Sequence, residues 1–94
     1  MIKGKTESGF SYKIDEACFN DMELLELLAE TDNGNYLAIS KVLEVLLGTD
    51  QKKKLYDHVR NDKGRVQIDL VTAEVKEILM SAGSKAKNSS TSPT

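Results

Sequence analysis

Apolar residues recur along this chain with two different periods, and the change of period divides it into elements. Phe10, Tyr12 and Ile14 alternate with Ser11 and Lys13, the period-two spacing of a strand that buries one face. Ser8-Gly9 before them is turn chemistry, and Ile2 to Thr6 supplies a short, polar partner strand, so residues 2–14 predict a β-hairpin.

From Asn20 onward the spacing becomes three to four. Asn20 with Glu23 three residues later has the form of a capping box, and predicts a helix from about Asp21 to Thr31. It carries Met22, Leu24, Leu25, Leu27, Leu28 and Ala29, a wider apolar arc than one buried stripe requires. Either this is the most buried helix or part of the arc faces a partner. Asp32-Asn33-Gly34-Asn35 reads as a stop and a turn. A second helix follows over Tyr36 to Leu47, with Ile39, Val42, Leu43, Leu46 and Leu47 on one face and Gly48 as its end. Thr49 is placed to cap a third helix from Asp50 to Arg60, which turns Leu55, Tyr56, His58 and Val59 to the core and Lys52, Lys53 and Lys54 to water.

Asn61-Asp62-Lys63-Gly64 is a further turn, and Arg65-Val66-Gln67-Ile68 a short extended piece leading to Asp69 as a helix cap. On the last helix Val71, Val75, Ile78, Leu79 and Ala82 share a face, and Gly83 marks the expected end. From Ser84 no apolar residue exceeds Ala86 in size. The expectation is a single globular domain over residues 1–83 and a disordered polar tail over 84–94. The predicted fold class is mainly α (α+β): an N-terminal β-hairpin followed by about four short helices in a compact bundle.

Composition narrows the functional classes. With 94 residues, 39% hydrophobic and 30% charged, the chain can build one core and no more. A formal net charge of −2 supplies no general pull toward nucleic acid or an anionic membrane. No apolar run reaches the ~18 residues of a membrane span, and Met-Ile-Lys-Gly-Lys leads into polar residues rather than a signal-peptide core, so a cytoplasmic location is expected. The single cysteine, Cys18, sits between Ala17 and Phe19 and reads as a buried structural thiol.

Candidate chemistry is sparse. His58, the one histidine, lies mid-helix with no local nucleophile motif, and one His with one Cys falls short of a structural zinc site. Placing Gly64 at the sixth position of a calcium loop puts Val59 first and Leu70 twelfth; placing Gly34 there puts Ala29 first and Ser40 twelfth. Neither loop has end ligands for calcium. No enzyme, metal or cofactor is expected. The rival is a helix-turn-helix over Lys41 to Arg60 with a Lys-rich second helix, although Glu44, Asp50 and Asp57 dilute its field.

The order of segments is more informative: a hairpin, then Asn20-Asp21-Met22-Glu23-Leu24-Leu25-Glu26-Leu27-Leu28-Ala29-Glu30, then Ile39 to Gly48 (ISKVLEVLLG), Lys53 to Arg60 (KKLYDHVR), Asp62-Lys63-Gly64-Arg65-Val66 and a final amphipathic helix. Over residues 8–82 this resembles the small tail assembly chaperones of phages and prophages of Gram-positive bacteria. The resemblance implies a non-catalytic protein that binds the helical tape-measure protein and keeps it soluble until the tail tube assembles. It would act in the host bacterial cytoplasm and be left out of the mature virion. Many members are also made in a longer, frameshifted form, for which residues 84–94 would suit a connector. The implied partners are the tape-measure protein and, secondarily, a second copy of the chain, with neither nucleic acid nor membrane. Docking a helix in water requires exposed apolar side chains at helical spacing. The candidate contact residues are Met22, Leu24, Leu25 and Leu28, with Val75 and Leu79 on the last helix.

Overall fold

The computed structural model describes residues 1–89. The chain is mostly helical, with a short antiparallel hairpin of β1 (Ile2–Lys5) and β2 (Ser11–Ile14) followed by a 3-10 helix (Glu16–Asn20) and three α-helices: α1 (Met22–Asp32), α2 (Ala38–Val59) and α3 (Ile68–Ser89).

The hairpin follows its alternation. Phe10, Tyr12 and Ile14 are buried while Ser11 and Lys13 are exposed, and Ile2 pairs with Ile14 and Gly4 with Tyr12 across the strands. Thr6 closes the loop: its N–H donates to the Phe10 carbonyl at 2.9 Å, and its Oγ1 accepts from the Phe10 N–H at 3.1 Å.

Helix α1 starts one residue later than expected. Asn20 is consumed by the 3-10 helix, and the cap is Asp21, whose Oδ1 accepts from the Glu23 N–H at 2.8 Å. Its end is closed by the Asn33 N–H on the Ala29 carbonyl and the Gly34 N–H on the Thr31 carbonyl, at 3.1 and 3.0 Å.

About four helices were expected and three segments are found; the break expected at Gly48 is present, and the second and third helices meet there within α2. Gly48, at φ 81 and ψ 165, breaks the helical path there. Only glycine adopts this conformation readily. Across the break the Leu47 carbonyl accepts from Gln51 Nε2 at 2.8 Å. Along α2 the buried residues are Ala38, Ile39, Val42, Leu43, Leu46, Leu47 and Leu55.

The segment between α2 and α3 is extended only where Val66 bridges Arg60 in antiparallel sense. Asp69 lies inside the first turn of α3 rather than capping it, with the Val71 N–H already donating to the Gln67 carbonyl at 3.1 Å. On α3 Val71, Val75, Ile78 and Ala82 are buried. The helix does not stop at Gly83 but runs to Ser89. A glycine inside a helix costs only about 1 kcal/mol against alanine, and the alanine and lysines that follow are good helix formers. Of the stretch expected as a disordered tail, residues 84–89 are therefore helical; residues 90–94 lie outside the described residues.

Helix α2 is the centre of the molecule: α1 packs on it, α3 packs on it and on β1, and β2 packs on it. The core joins Ile14, Leu43, Leu55, Ile78 and Val42 with the hairpin's inner face. Among the described residues no helix is long and apolar enough to cross a membrane.

Candidate functional site

Because α1 and α3 both rest on α2, a groove is left between them. Its walls are Leu25, Leu28 and Ala29 of α1 and Thr72, Lys76 and Leu79 of α3; Ile39 of α2 and Val75 lie buried beneath, the exposed Tyr36 also lines it, and its volume is about 530 Å³. Four of the six residues expected to contact a partner, Leu25, Leu28, Val75 and Leu79, are thus brought to one surface from α1 and α3.

The other two candidates part company. Leu24 is 2% exposed and belongs to the core, so it presents nothing to a partner and its assignment as a contact residue is corrected. Neighbours on a helix differ by about 100°, and the direction that points Leu24 at α2 turns Leu25 outward, 60% exposed. Met22 is 66% exposed and lies one turn before Leu25 and Glu26, on the outer row of α1 beside the groove without lining it.

Tyr36 extends the apolar surface. The same ring borders a second hollow with Leu37, Ile39, Val66, Ile68 and Val71, and Leu37 and Ile68 are among the most exposed large apolar side chains. Neither Tyr36 and Leu37 nor Val66 and Ile68 were among the expected contact residues. The signal in the sequence was Tyr36-Leu37, two consecutive large apolar residues directly after a polar turn; in the structure both precede α2 and both are exposed.

A polar cluster ties the hairpin loop to the helices. The buried carboxylate of Glu74, 7% exposed, accepts from Thr6 Oγ1 at 2.9 Å and from Ser8 Oγ at 3.0 Å, and the Glu77 carboxylate accepts from the Glu7 N–H at 2.7 Å. His58 is exposed, neither packed in the core nor isolated: Nε2 lies 3.0 Å from Ser8 Oγ and 3.1 Å from the Ser8 carbonyl, with the ring tilted against Phe10. The hydroxyl sits between carboxylate and imidazole and spends its proton on the carboxylate, unlike a nucleophilic triad, where the imidazole lies between the other two and takes the hydroxyl proton. This arrangement satisfies Glu74 and fastens the loop.

Cys18 is half-buried rather than fully buried, and its Sγ donates to the Val45 carbonyl at 3.3 Å. Burial pushes its thiol above the ordinary value, with the charges of Asp15 and Asp21 adding to the effect. In the Lys-rich turn of α2, Lys52 is held by Ser40 Oγ at 2.7 Å and Glu44 at 2.9 Å and lies over the Tyr56 ring. The Lys52 hydrogen bond, then its charge and that of Lys41, hold Glu44 below the usual carboxylate range. Among the described residues no group of three metal-ligating side chains comes together. No protein-family model matches the chain, and neither curated proteins nor solved structures give a match.

Proposed function

We propose that this protein is a phage tail assembly chaperone, a non-catalytic binding module that holds a helical segment of the tape-measure protein in the groove between α1 and α3 and keeps that partner in solution during tail assembly. The observation that carries the reading is the groove itself, in which Leu25 and Tyr36 stay exposed above a floor of Ile39 and Val75. An amphipathic helix laid there would cover what the free chain leaves in water, the usual way a groove takes a helix through residues at i, i+3, i+4 and i+7. The resemblance of residues 8–82 to the chaperone family supplies the identity of the helix. The site of action on this reading is the host cytoplasm, before the virion is complete.

The test begins with gene order, where a very long coding sequence immediately downstream identifies the tape measure. Overlapping fragments of its product, co-expressed with the tagged chain, should yield one retained helical fragment, and Leu25→Glu should release it while the variant keeps its cooperative melt. The competing reading, a small DNA-binding regulator, predicts a salt-sensitive shift of duplex DNA and no retained fragment.

A further inference from the structure

We infer that two copies of this chain pair about a two-fold axis through the surface around Leu37, Val66 and Ile68, beside the α1/α3 groove and separate from it. The inference goes beyond the groove reading and does not depend on what the groove holds. Leu37 is 86% exposed, and Tyr36 and Ile68 are each more than half exposed. Together these three side chains leave on the order of 400 Å² of largely apolar surface in water, within the range of the largest patch on a typical monomer.

Relief, charge and area together select a second copy as the occupant. A hollow of about 310 Å³ is lined by Leu37, Tyr56, Val66 and Ile68, with the buried Ile39 and Val71 beneath. Tyr36, Val66 and Ile68 also line a second hollow, of about 880 Å³, so they stand between the two. A projecting leucine therefore sits on the rim of a hollow with room for an aliphatic side chain. Such a face is complementary to itself, since a two-fold brings each Leu37 to the other copy's hollow. The larger hollow carries Arg65 and Asp69. Both are exposed, they have opposite signs, and neither forms an ion pair among the described residues. A two-fold sets Arg65 of each copy against Asp69 of the other, so the same pair forms twice. A partner with a single sign of charge would be attracted by one and repelled by the other. Lys76, the third charged residue of this hollow, also lines the groove, which places it on that side. With Gln67 and Thr72 in a polar rim, the covered surface reaches roughly 600 Å² per copy, where specific interfaces begin. An interface at that lower limit holds a micromolar dimer, not an obligate one.

The test is sedimentation of the full chain from micromolar to millimolar concentration, which should show a monomer–dimer equilibrium and no larger species. Leu37→Glu and Ile68→Glu should each weaken the dimer by about tenfold or more while the variants keep the parent's cooperative melt. Leu37→Ala takes their place if a glutamate variant fails to fold. Arg65→Glu alone and Asp69→Arg alone each bring like charges together and should weaken the dimer about tenfold at low salt, with raised salt narrowing the difference. Mixing these two charge variants should restore the dimer, because in the mixed pair both cross contacts are again of opposite sign. A chain that stays monomeric at every concentration would overturn the inference and leave the groove reading untouched. Survival of the dimer in Leu37→Glu and Ile68→Glu would overturn it as well; if Leu25→Glu dissolves that dimer, the groove belongs to a second copy and the proposed function fails with it. A mixture of the charge variants that stays monomeric, or growth to larger species, would overturn the two-fold pairing.

Discussion

The tightest constraint on a single residue is Gly4. In its pair with Tyr12 the aromatic ring lies across the glycine, and a Cβ there would collide with the ring's Cζ and hydroxyl. Gly4→Ala should therefore destabilise the fold by about 1–3 kcal/mol, the range for overpacking, as read in a urea melt. The Tyr12 hydroxyl has no hydrogen-bond partner among the described residues despite its burial. Because an unpaired buried hydroxyl costs roughly 1–3 kcal/mol, Tyr12→Phe should leave stability unchanged or raise it, and a loss above about 1 kcal/mol would reveal a partner. Cys18 gives a prediction of the opposite kind, in rate rather than stability. Its thiol is raised by burial and by nearby carboxylates, so less thiolate is present at a given pH and alkylation at pH 8 should run more slowly than for an unfolded control. Unfolding in urea should abolish the difference.

At the scale of elements, α2 depends on one residue to break its path and another to tie it to the hairpin. Gly48 occupies a conformation that side chains avoid while a Cβ there would meet open space, so Gly48→Ala isolates backbone strain from crowding. A loss of about 1–3 kcal/mol is expected; an unchanged melt would mean that α2 straightens freely. Gln51 connects this break to the sheet, since its side chain accepts from the Lys13 N–H at 2.7 Å and donates to the Lys13 carbonyl at 2.8 Å as well as to Leu47. Lys85 likewise donates to the Lys3 carbonyl on the other strand at 2.8 Å. Both outer edges of the hairpin are thus occupied in part by side chains, which blunts the tendency of a free edge to pair with another chain.

For the whole molecule the decisive feature is that α1 and α3 share α2 as a support. Burial and function divide between adjacent leucines on that account. Leu24→Ala should cost about 2–5 kcal/mol because it empties part of the core. Leu25→Glu should stay within roughly 0.5 kcal/mol of the parent, and thermal melts of the two variants side by side measure the contrast. Equal losses would place Leu25 in the core and leave the groove without its exposed wall.

Much of the architecture was legible in order along the chain. The alternation from Phe10 to Ile14 specifies a strand, because side-chain direction in a strand depends on parity alone. The three- and four-residue spacings of Ile39 to Leu47 and of Val71 to Ala82 specify helices and their buried faces for the same local reason. Single-residue signals failed where the adjoining stretch of chain outweighed them. Asn20 could not cap α1 once the 3-10 helix had claimed it, and Gly83 could not stop α3, whereas Gly48 does break the helical path where the sequence placed the end. The arc from Met22 to Ala29 shows the limit most clearly. Its composition determined that α1 has more apolar surface than one contact can bury. Which leucine faces the core and which faces water was decided only when α2 took its place beside Leu24 and α3 stopped short of Leu25, because burial belongs to the pair of packed surfaces and not to either sequence alone.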